Sequence, residues 1–285
     1  MIIDRPINRL FTFGCSFTKY FWSCWPEIVA EDLGVPFYNY GKSGAGNQFI
    51  ANMIVQADRK YKFTTDDLVM VCWTNVCRED KWRDGEWATP GNIYTQNIYS
   101  NDYVEKWADP LGYLVRDCAT ISSIKGYLEN LKCQHHFFSM CDIHFTLDQG
   151  EKNTFNQNLK TVYDEICDSY KDIITLPSFY NLLWHNDIHL HKFKPQKEVY
   201  ENYFDDGHPN PLDHFNFLKR LFPYHEFKET TIEKVKKSND ILTAFVLDQI
   251  KIKKKRFGIY ELDPELLRLM ANNSQIKKSE IYKII

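Results

Sequence analysis

A serine near the start of the chain and a histidine near residue 210 have the chemistry of a nucleophile and its base. Ser16 directly follows a short apolar run, so its hydroxyl would lie at the carboxyl end of a strand, where open α/β sheets bind ligands. His208 is preceded by Asp205 and Asp206 in a turn before a helix. A carboxylate, an imidazole and a hydroxyl in series let the imidazole take the hydroxyl proton. We therefore predict a Ser16, His208, Asp205 triad; the spacing of three residues favours Asp205, and Asp206 stays open as the acid.

Two turns at predicted strand ends offer donors for an oxyanion. Gly44 would contribute a backbone N–H, Asn75 its side-chain amide, and Ser16 its own N–H. Taken separately, Gly44 is more often a plain turn glycine and Asn75 a plain turn residue at a strand end. Cys15 is a second nucleophile beside Ser16, but neighbours on a strand point in opposite directions, so we expect Cys15 to pack beneath the site.

Four separated blocks together resemble the SGNH hydrolase family, which is named after Ser, Gly, Asn and His. The resemblance spans roughly residues 9–220 and implies a flavodoxin-like α/β/α fold with esterase, lipase, thioesterase or carbohydrate deacetylase activity. Thr74 and Val76 depart from the Gly and Asp that usually flank the family's Asn, and Cys15 stands where many members have Asp. The blocks are Phe13-Gly14-Cys15-Ser16, Asn39 to Gly44, Asn75, and Asp205 to His208.

Apolar runs and helical patterns alternate along the first 225 residues, which indicates a doubly wound α/β domain. The run at residues 67–73 is apolar throughout, as in a parallel strand buried on both faces. We predict a three-layer α/β/α sandwich with a mainly parallel five-stranded sheet. Its strands are predicted at residues 9–13, 35–39, 67–73, 133–138 and 173–176, and its helices at 25–33, 46–57, 111–131 (with a break near 126 left open) and 155–170.

Two segments stand outside this scheme. Residues 79–110 form an aromatic-rich insertion, too long for a simple connection, which we interpret as a lid. Trp82, Trp87 and Tyr94 would bind substrate there, or pack against one another. Residues 226–285 are a Lys-rich helical extension through which the chain could form oligomers.

Bulk properties exclude several classes of partner. The net charge of -3 does not favour nucleic acid, and no apolar stretch has the length of a membrane span or the pattern of a signal peptide. The eight cysteines are scattered, as in reduced buried thiols, so we expect a cytoplasmic protein, with a virion-associated one left open. His185, His189 and His191 are interpreted as surface residues rather than metal ligands, and we predict no metal and no cofactor.

The sequence thus predicts a serine ester hydrolase that forms an acyl-enzyme on Ser16. Its substrate would be a small-molecule or glycan ester, with O-acetyl groups on carbohydrate as one candidate. An acyltransferase is the nearest variant. The alternative from another class is a non-catalytic glycan-binding or structural module that keeps the fold.

Overall fold

A four-stranded parallel sheet forms the centre of the chain in the computed structural model, which describes residues 2–94, 98–143, 157–184, 204–263, 265 and 267. Its strands are β1 (Arg9–Gly14), β2 (Phe37–Gly41), β3 (Asp67–Trp73) and β6 (Gln134–Ser139). The strand order is β2-β1-β3-β6, and every neighbouring pair is parallel. The predicted α/β class and parallel sheet are therefore confirmed.

Helices cover both faces of the sheet, as the uninterrupted apolar run of β3 predicts. Alternate β3 residues enter two separate cores: Val69, Val71 and Trp73 face one, and Leu68, Met70 and Cys72 face the other. The first core is completed by α2 (Asn47–Tyr61) and α4 (Pro110–Asn130), and the second by α1 (Trp25–Leu33) and a later helix, α7 (Pro211–Leu221). The α4 helix is continuous past Gly126.

The predicted fifth strand at residues 173–176 is wrong. Residues Lys171–Ile174 form a short helix, α6, after α5 (Gln157–Ser169), and Ile173 is buried in the first core. A run of so few apolar residues does not distinguish a strand from a helical turn. Beside β6 the chain makes one isolated bridge, from Ser178 to Ser139, where the Pro177 carbonyl accepts a hydrogen bond from the Ser139 N–H at 2.9 Å.

The insertion at residues 79–110 contains regular structure of its own. A hairpin pairs β4 (Lys81–Arg83) with β5 (Glu86–Ala88), and a short helix, α3, spans Asn101–Trp107. The side chain of Asp80 anchors the base of the insertion by accepting hydrogen bonds from the Gly46 and Phe49 N–H groups, both at 2.8 Å. The insertion is thereby attached to the start of α2, close to the end of β2.

The segment after residue 226 packs against the sheet domain. The long helix α8 (Glu229–Lys253) places Val235 in the second core, and Lys234 pairs with Glu31 of α1 at 2.5 Å. Two short strands, β7 (Phe204–Asp205) and β8 (Phe257–Gly258), pair in parallel, so the end of the chain holds the segment that leads into the predicted Asp-His turn. The boundary at 226 stays a prediction.

The sequence also led to predictions about the cysteines, membrane spans and metal ligands. Seven of the eight cysteine side chains are buried. In the described ranges, no helix is both long and apolar enough to cross a membrane, and no group of three His, Cys, Asp or Glu side chains could hold a metal ion. His185, His189 and His191 lie outside the described residues.

Candidate active site

Ser16 lies in a tight turn at the carboxyl end of β1. The Cys15 carbonyl accepts hydrogen bonds from the Thr18 N–H at 2.9 Å and the Lys19 N–H at 3.2 Å, which closes the turn. A Cβ at Gly14 would lie 2.0 Å from Thr18 Oγ1, so only glycine permits this close approach. The Cys15 side chain is fully buried beneath the turn, as predicted, and Ser16 is 6% exposed.

The Ser16 hydroxyl and the His208 ring, 192 residues apart in sequence, are in hydrogen-bond contact. Ser16 Oγ lies 2.8 Å from His208 Nε2, and His208 Nδ1 lies 2.8 Å from Asp206 Oδ1. With the Nδ1 proton directed at the carboxylate, Nε2 carries the lone pair that accepts the serine proton. The three groups form a continuous chain of hydrogen bonds from carboxylate to hydroxyl.

The carboxylate that contacts His208 belongs to Asp206, and this corrects the preference for Asp205. Asp206 Oδ1 also accepts a hydrogen bond from the His208 backbone N–H at 2.8 Å, so one oxygen fixes both the backbone and the ring. Such a short-range turn is a common use of an aspartate side chain. Asp205 is the last residue of β7, paired with Gly258, and the structure describes its backbone alone.

Tyr20 holds the histidine and its carboxylate together. Its ring stacks on the His208 ring with centroids 3.8 Å apart and 20° between the planes, and its hydroxyl donates to Asp206 Oδ2 at 2.7 Å. Burial, followed by the charge of Asp206, raises the pKa of the Tyr20 hydroxyl, which therefore stays protonated as a donor. Because the Asp206 side chain is only 2% exposed, this donor satisfies a carboxylate oxygen that water barely reaches.

A cavity of about 500 Å³ opens in front of Ser16. Gly44 and Asn75, the predicted oxyanion donors, line it together with Ser16 and His208. Gly44 has φ +74°, and a Cβ there would lie 2.1 Å from the Thr89 carbonyl oxygen, so glycine is required on both counts. Arg78 also lines the cavity and donates to the Ala45 carbonyl at 2.9 Å, which places a cation near the site.

The insertion contributes to this cavity through its backbone turn rather than through its tryptophans. The turn at residues 89–92 lines the cavity, whereas Trp82, Trp87 and Tyr94 are absent from the lining that the structure describes. Trp87 lies edge-to-face against Trp82 at 5.7 Å and against Phe49 at 6.1 Å, and Trp82 and Tyr94 are exposed. The sequence left open whether these aromatics bind substrate or pack against one another, and Trp82 and Trp87 pack against one another.

Two buried networks fix the loops that carry the site, and sequence patterns do not indicate either. Asn39 donates to the Thr18 carbonyl at 2.9 Å and to Glu27 at 3.1 Å, joining the nucleophile turn to α1. Burial raises the pKa of Glu27 to about 7, since the carboxylate loses its hydration there.

The second network supports the turn that carries Asn75. Asn47 accepts a hydrogen bond from the Thr74 N–H at 2.9 Å and donates to the Thr74 carbonyl at 3.0 Å and to Asp117 at 2.8 Å. Burial raises the pKa of Asp117 to about 6, against the opposing effect of Arg116. Both sides of the cavity thus rest on buried, hydrogen-bonded amides.

No protein-family model and no curated protein matches the chain. Solved structures similar to it include a member of the lipolytic protein G-D-S-L family from Veillonella parvula DSM 2008. That structure is 12% identical, with 76% of this chain and 97% of that chain covered and a TM-score of 0.37. A catalytic mutant of the acetylxylan esterase Axe2 from Geobacillus stearothermophilus is 13% identical, with 79% and 98% covered and a TM-score of 0.38.

Proposed function

We propose that this chain is a serine ester hydrolase in which Ser16 is the nucleophile, His208 the general base and then acid, and Asp206 the orienting carboxylate. The proposal rests on one observation, the unbroken series of 2.8 Å contacts from Asp206 through His208 to Ser16 beside an open cavity. An isolated turn serine would have no need of an imidazole that is itself held by a carboxylate and a stacked tyrosine.

In the first half-reaction, Ser16 Oγ bonds to the ester carbonyl carbon while its proton passes to His208 Nε2. Asp206 stabilises the imidazolium that results. The carbonyl oxygen takes the negative charge, and the N–H groups of Ser16 and Gly44 and the Asn75 amide are its proposed donors. In the part of the chain described, Asn75 lines the cavity and its Oδ1 is buried without a partner.

Collapse of this intermediate breaks the bond to the alcohol, which leaves with the proton that His208 held. Water then attacks the acyl-enzyme by the reverse sequence, again with His208 as base. Buried asparagines anchor all three turns: Asn39 bonds the Thr18 carbonyl and accepts a hydrogen bond from the Gly41 N–H at 2.9 Å, and Asn47 bonds the Thr74 backbone. The donors are therefore oriented before substrate binds. Such preorganisation is the main source of transition-state stabilisation in acyl transfer.

The proposed substrates are carboxylic esters with a small acyl group, including O-acetyl groups on carbohydrate. The cavity at Ser16 is lined mostly by small and polar residues, among them Ser43, Thr89 and Asn92, and it offers little apolar wall for a long acyl chain. Ser16→Ala should abolish hydrolysis of p-nitrophenyl acetate, and Ser123→Ala, at an exposed serine of α4 outside the cavity, is the matched control. Full activity in Ser16→Ala would refute the mechanism.

A further inference from the structure

A second cavity, of about 340 Å³, adjoins the catalytic cavity and has a different character. Ser43 and Tyr260 line both, so the two spaces meet at these residues. The second cavity is walled by the rings of Tyr20, Phe21 and Tyr260, with Lys19 at its side. None of the lining residues that the structure describes is a carboxylate.

The three rings form one aromatic surface. Tyr20 and Phe21 meet edge to face at 4.9 Å and 67°, and Phe21 meets Tyr260 at 5.9 Å and 77°. Edge-to-face geometry is favourable between aromatic rings and keeps their relative orientation fixed. The wall is therefore a preformed apolar surface.

Tyr260 is held in place although its own side chain is 72% exposed. It belongs to a 3₁₀ turn, Ile259–Glu261, directly after β8, and the preceding Ile259 is 1% exposed in a cluster with Trp22. The Gly258 N–H donates to Glu261 Oε1 at 3.1 Å and closes the turn. The Tyr260 ring thus contacts Phe21 by its edge-to-face packing while most of its surface stays exposed and available to a ligand.

The position of the second cavity relative to His208 defines which part of an ester it would receive. Tyr20 covers one face of the His208 ring at 3.8 Å and forms one wall of this cavity, and Gly41, Lys42 and Ser43, in the turn before Gly44, form another. In acyl transfer the oxyanion donors hold the carbonyl oxygen and the histidine hands its proton to the departing alkoxide, so the alcohol lies beside the histidine. With a small acyl group in the catalytic cavity, the alcohol would extend past His208 towards Tyr20.

We infer that the cavity formed by Tyr20, Phe21 and Tyr260 is the subsite for the alcohol part of the substrate, and that it takes a sugar ring. A pyranose has an apolar C–H face that packs on aromatic rings and a rim of oxygens that accept hydrogen bonds. Lys19 and Ser43 supply donors at the edge of the wall. The inference rests on the proposed ester hydrolysis and assigns Tyr260, from the C-terminal segment, as a residue that determines specificity.

The test compares two acetate esters that differ in the alcohol. Tyr260→Ala should lower kcat/KM for glucose pentaacetate about tenfold, the size expected for loss of one ring contact, and should change kcat/KM for ethyl acetate less than about twofold. Tyr260→Phe keeps the ring and should behave as wild type. Tyr224→Ala, which removes a tyrosine that is 84% exposed elsewhere, is the matched control.

Three outcomes would overturn the inference. Equal losses on both esters would mean that Tyr260 supports the triad rather than the alcohol. An unchanged kcat/KM on both esters would show that Tyr260 does not contact the substrate. If Tyr260→Ala instead changed the preference between ethyl acetate and ethyl octanoate, the cavity would take the acyl chain.

A binding measurement separates failure of this inference from failure of the proposed function. Methyl β-glucoside should show saturation-transfer NMR contacts with the wild-type protein and lose them in Tyr260→Ala. If no ester is hydrolysed but the glucoside binds in this way, the subsite stands and the reaction is wrong. If esters are hydrolysed through Ser16 but the glucoside does not bind the wild type, the reaction stands and the subsite is wrong.

Discussion

Replacing Asp206 by asparagine removes the charge that stabilises the protonated form of His208 and leaves the shape of the site almost unchanged. The Asp206 and His208 side chains are 2% and 22% exposed, so their interaction is only partly screened by water. Two charges about 4 Å apart at an effective dielectric constant of about 20 interact by about 4 kcal/mol. At 1.36 kcal/mol for each factor of ten, loss of that stabilisation in the transition state lowers kcat about 1,000-fold.

The assay is the steady-state hydrolysis of p-nitrophenyl acetate by Asp206→Asn and by the matched control Asp205→Asn. The control should stay within about threefold of wild type, because the proposed triad acid is Asp206, whose Oδ1 contacts His208 Nδ1. Thermal unfolding of both variants by circular dichroism checks that each is folded. A large loss in Asp205→Asn together with a small one in Asp206→Asn would refute the assignment of the triad acid.

Substitutions at Tyr20, Gly44 and Asp213 test three other features of the structure. Tyr20→Phe keeps the ring stacked on His208 but removes the hydroxyl that donates to Asp206. It should lower kcat about tenfold with little change in KM. An unchanged kcat would show that stacking alone positions His208. Gly44→Ala should lower kcat about 100-fold, because the added Cβ would meet the Thr89 carbonyl oxygen. Gly85 also has a positive φ, but a Cβ there would have no neighbour within 4 Å, so Gly85→Ala should remain active. Equal losses of kcat in the two variants would contradict this prediction. Burial raises the pKa of the Asp213 carboxyl to about 7, so ionisation of this group lowers the free energy of unfolding as the pH rises from about 4 to about 7. Asp213→Asn cannot ionise, so in urea unfolding it should avoid about 2–4 kcal/mol of the loss that the wild type shows over this range. Parallel pH profiles of the two proteins would exclude this effect.

The sequence predicts those parts of the site that follow directly from strand ends. Ser16, Gly44 and Asn75 each come just after a predicted strand, and the carboxyl ends of parallel strands meet at one edge of a sheet. The structure places all three around one cavity with His208. The buried runs of β1 and β3 carry enough apolar pattern to define the sheet, whereas the two isoleucines at 173 and 174 do not distinguish a strand from a helical turn.

The parts that the sequence does not reveal depend on contacts between distant segments. Asp205 and Asp206 are both within reach of His208 along the chain, and the pairing of β7 with β8, more than 50 residues later, fixes the backbone at this turn. No sequence pattern singles out Tyr20 or Tyr260, since Tyr20 lies in a loop and Tyr260 in a segment with the pattern of a solvated extension. Their place at the site follows from a hydrophobic cluster that joins residues near 20, 204 and 259.

Covalent labelling distinguishes an activated nucleophile at Ser16 from a plain turn serine. A fluorophosphonate probe reacts with a serine only where a base activates it and donors stabilise the oxyanion that forms. We predict one adduct for each folded chain, mapped by peptide mass spectrometry to Ser16, with no adduct in Ser16→Ala and slow labelling in Asp206→Asn. Absence of labelling in the folded wild-type protein, or an adduct on another residue that persists in Ser16→Ala, would contradict it.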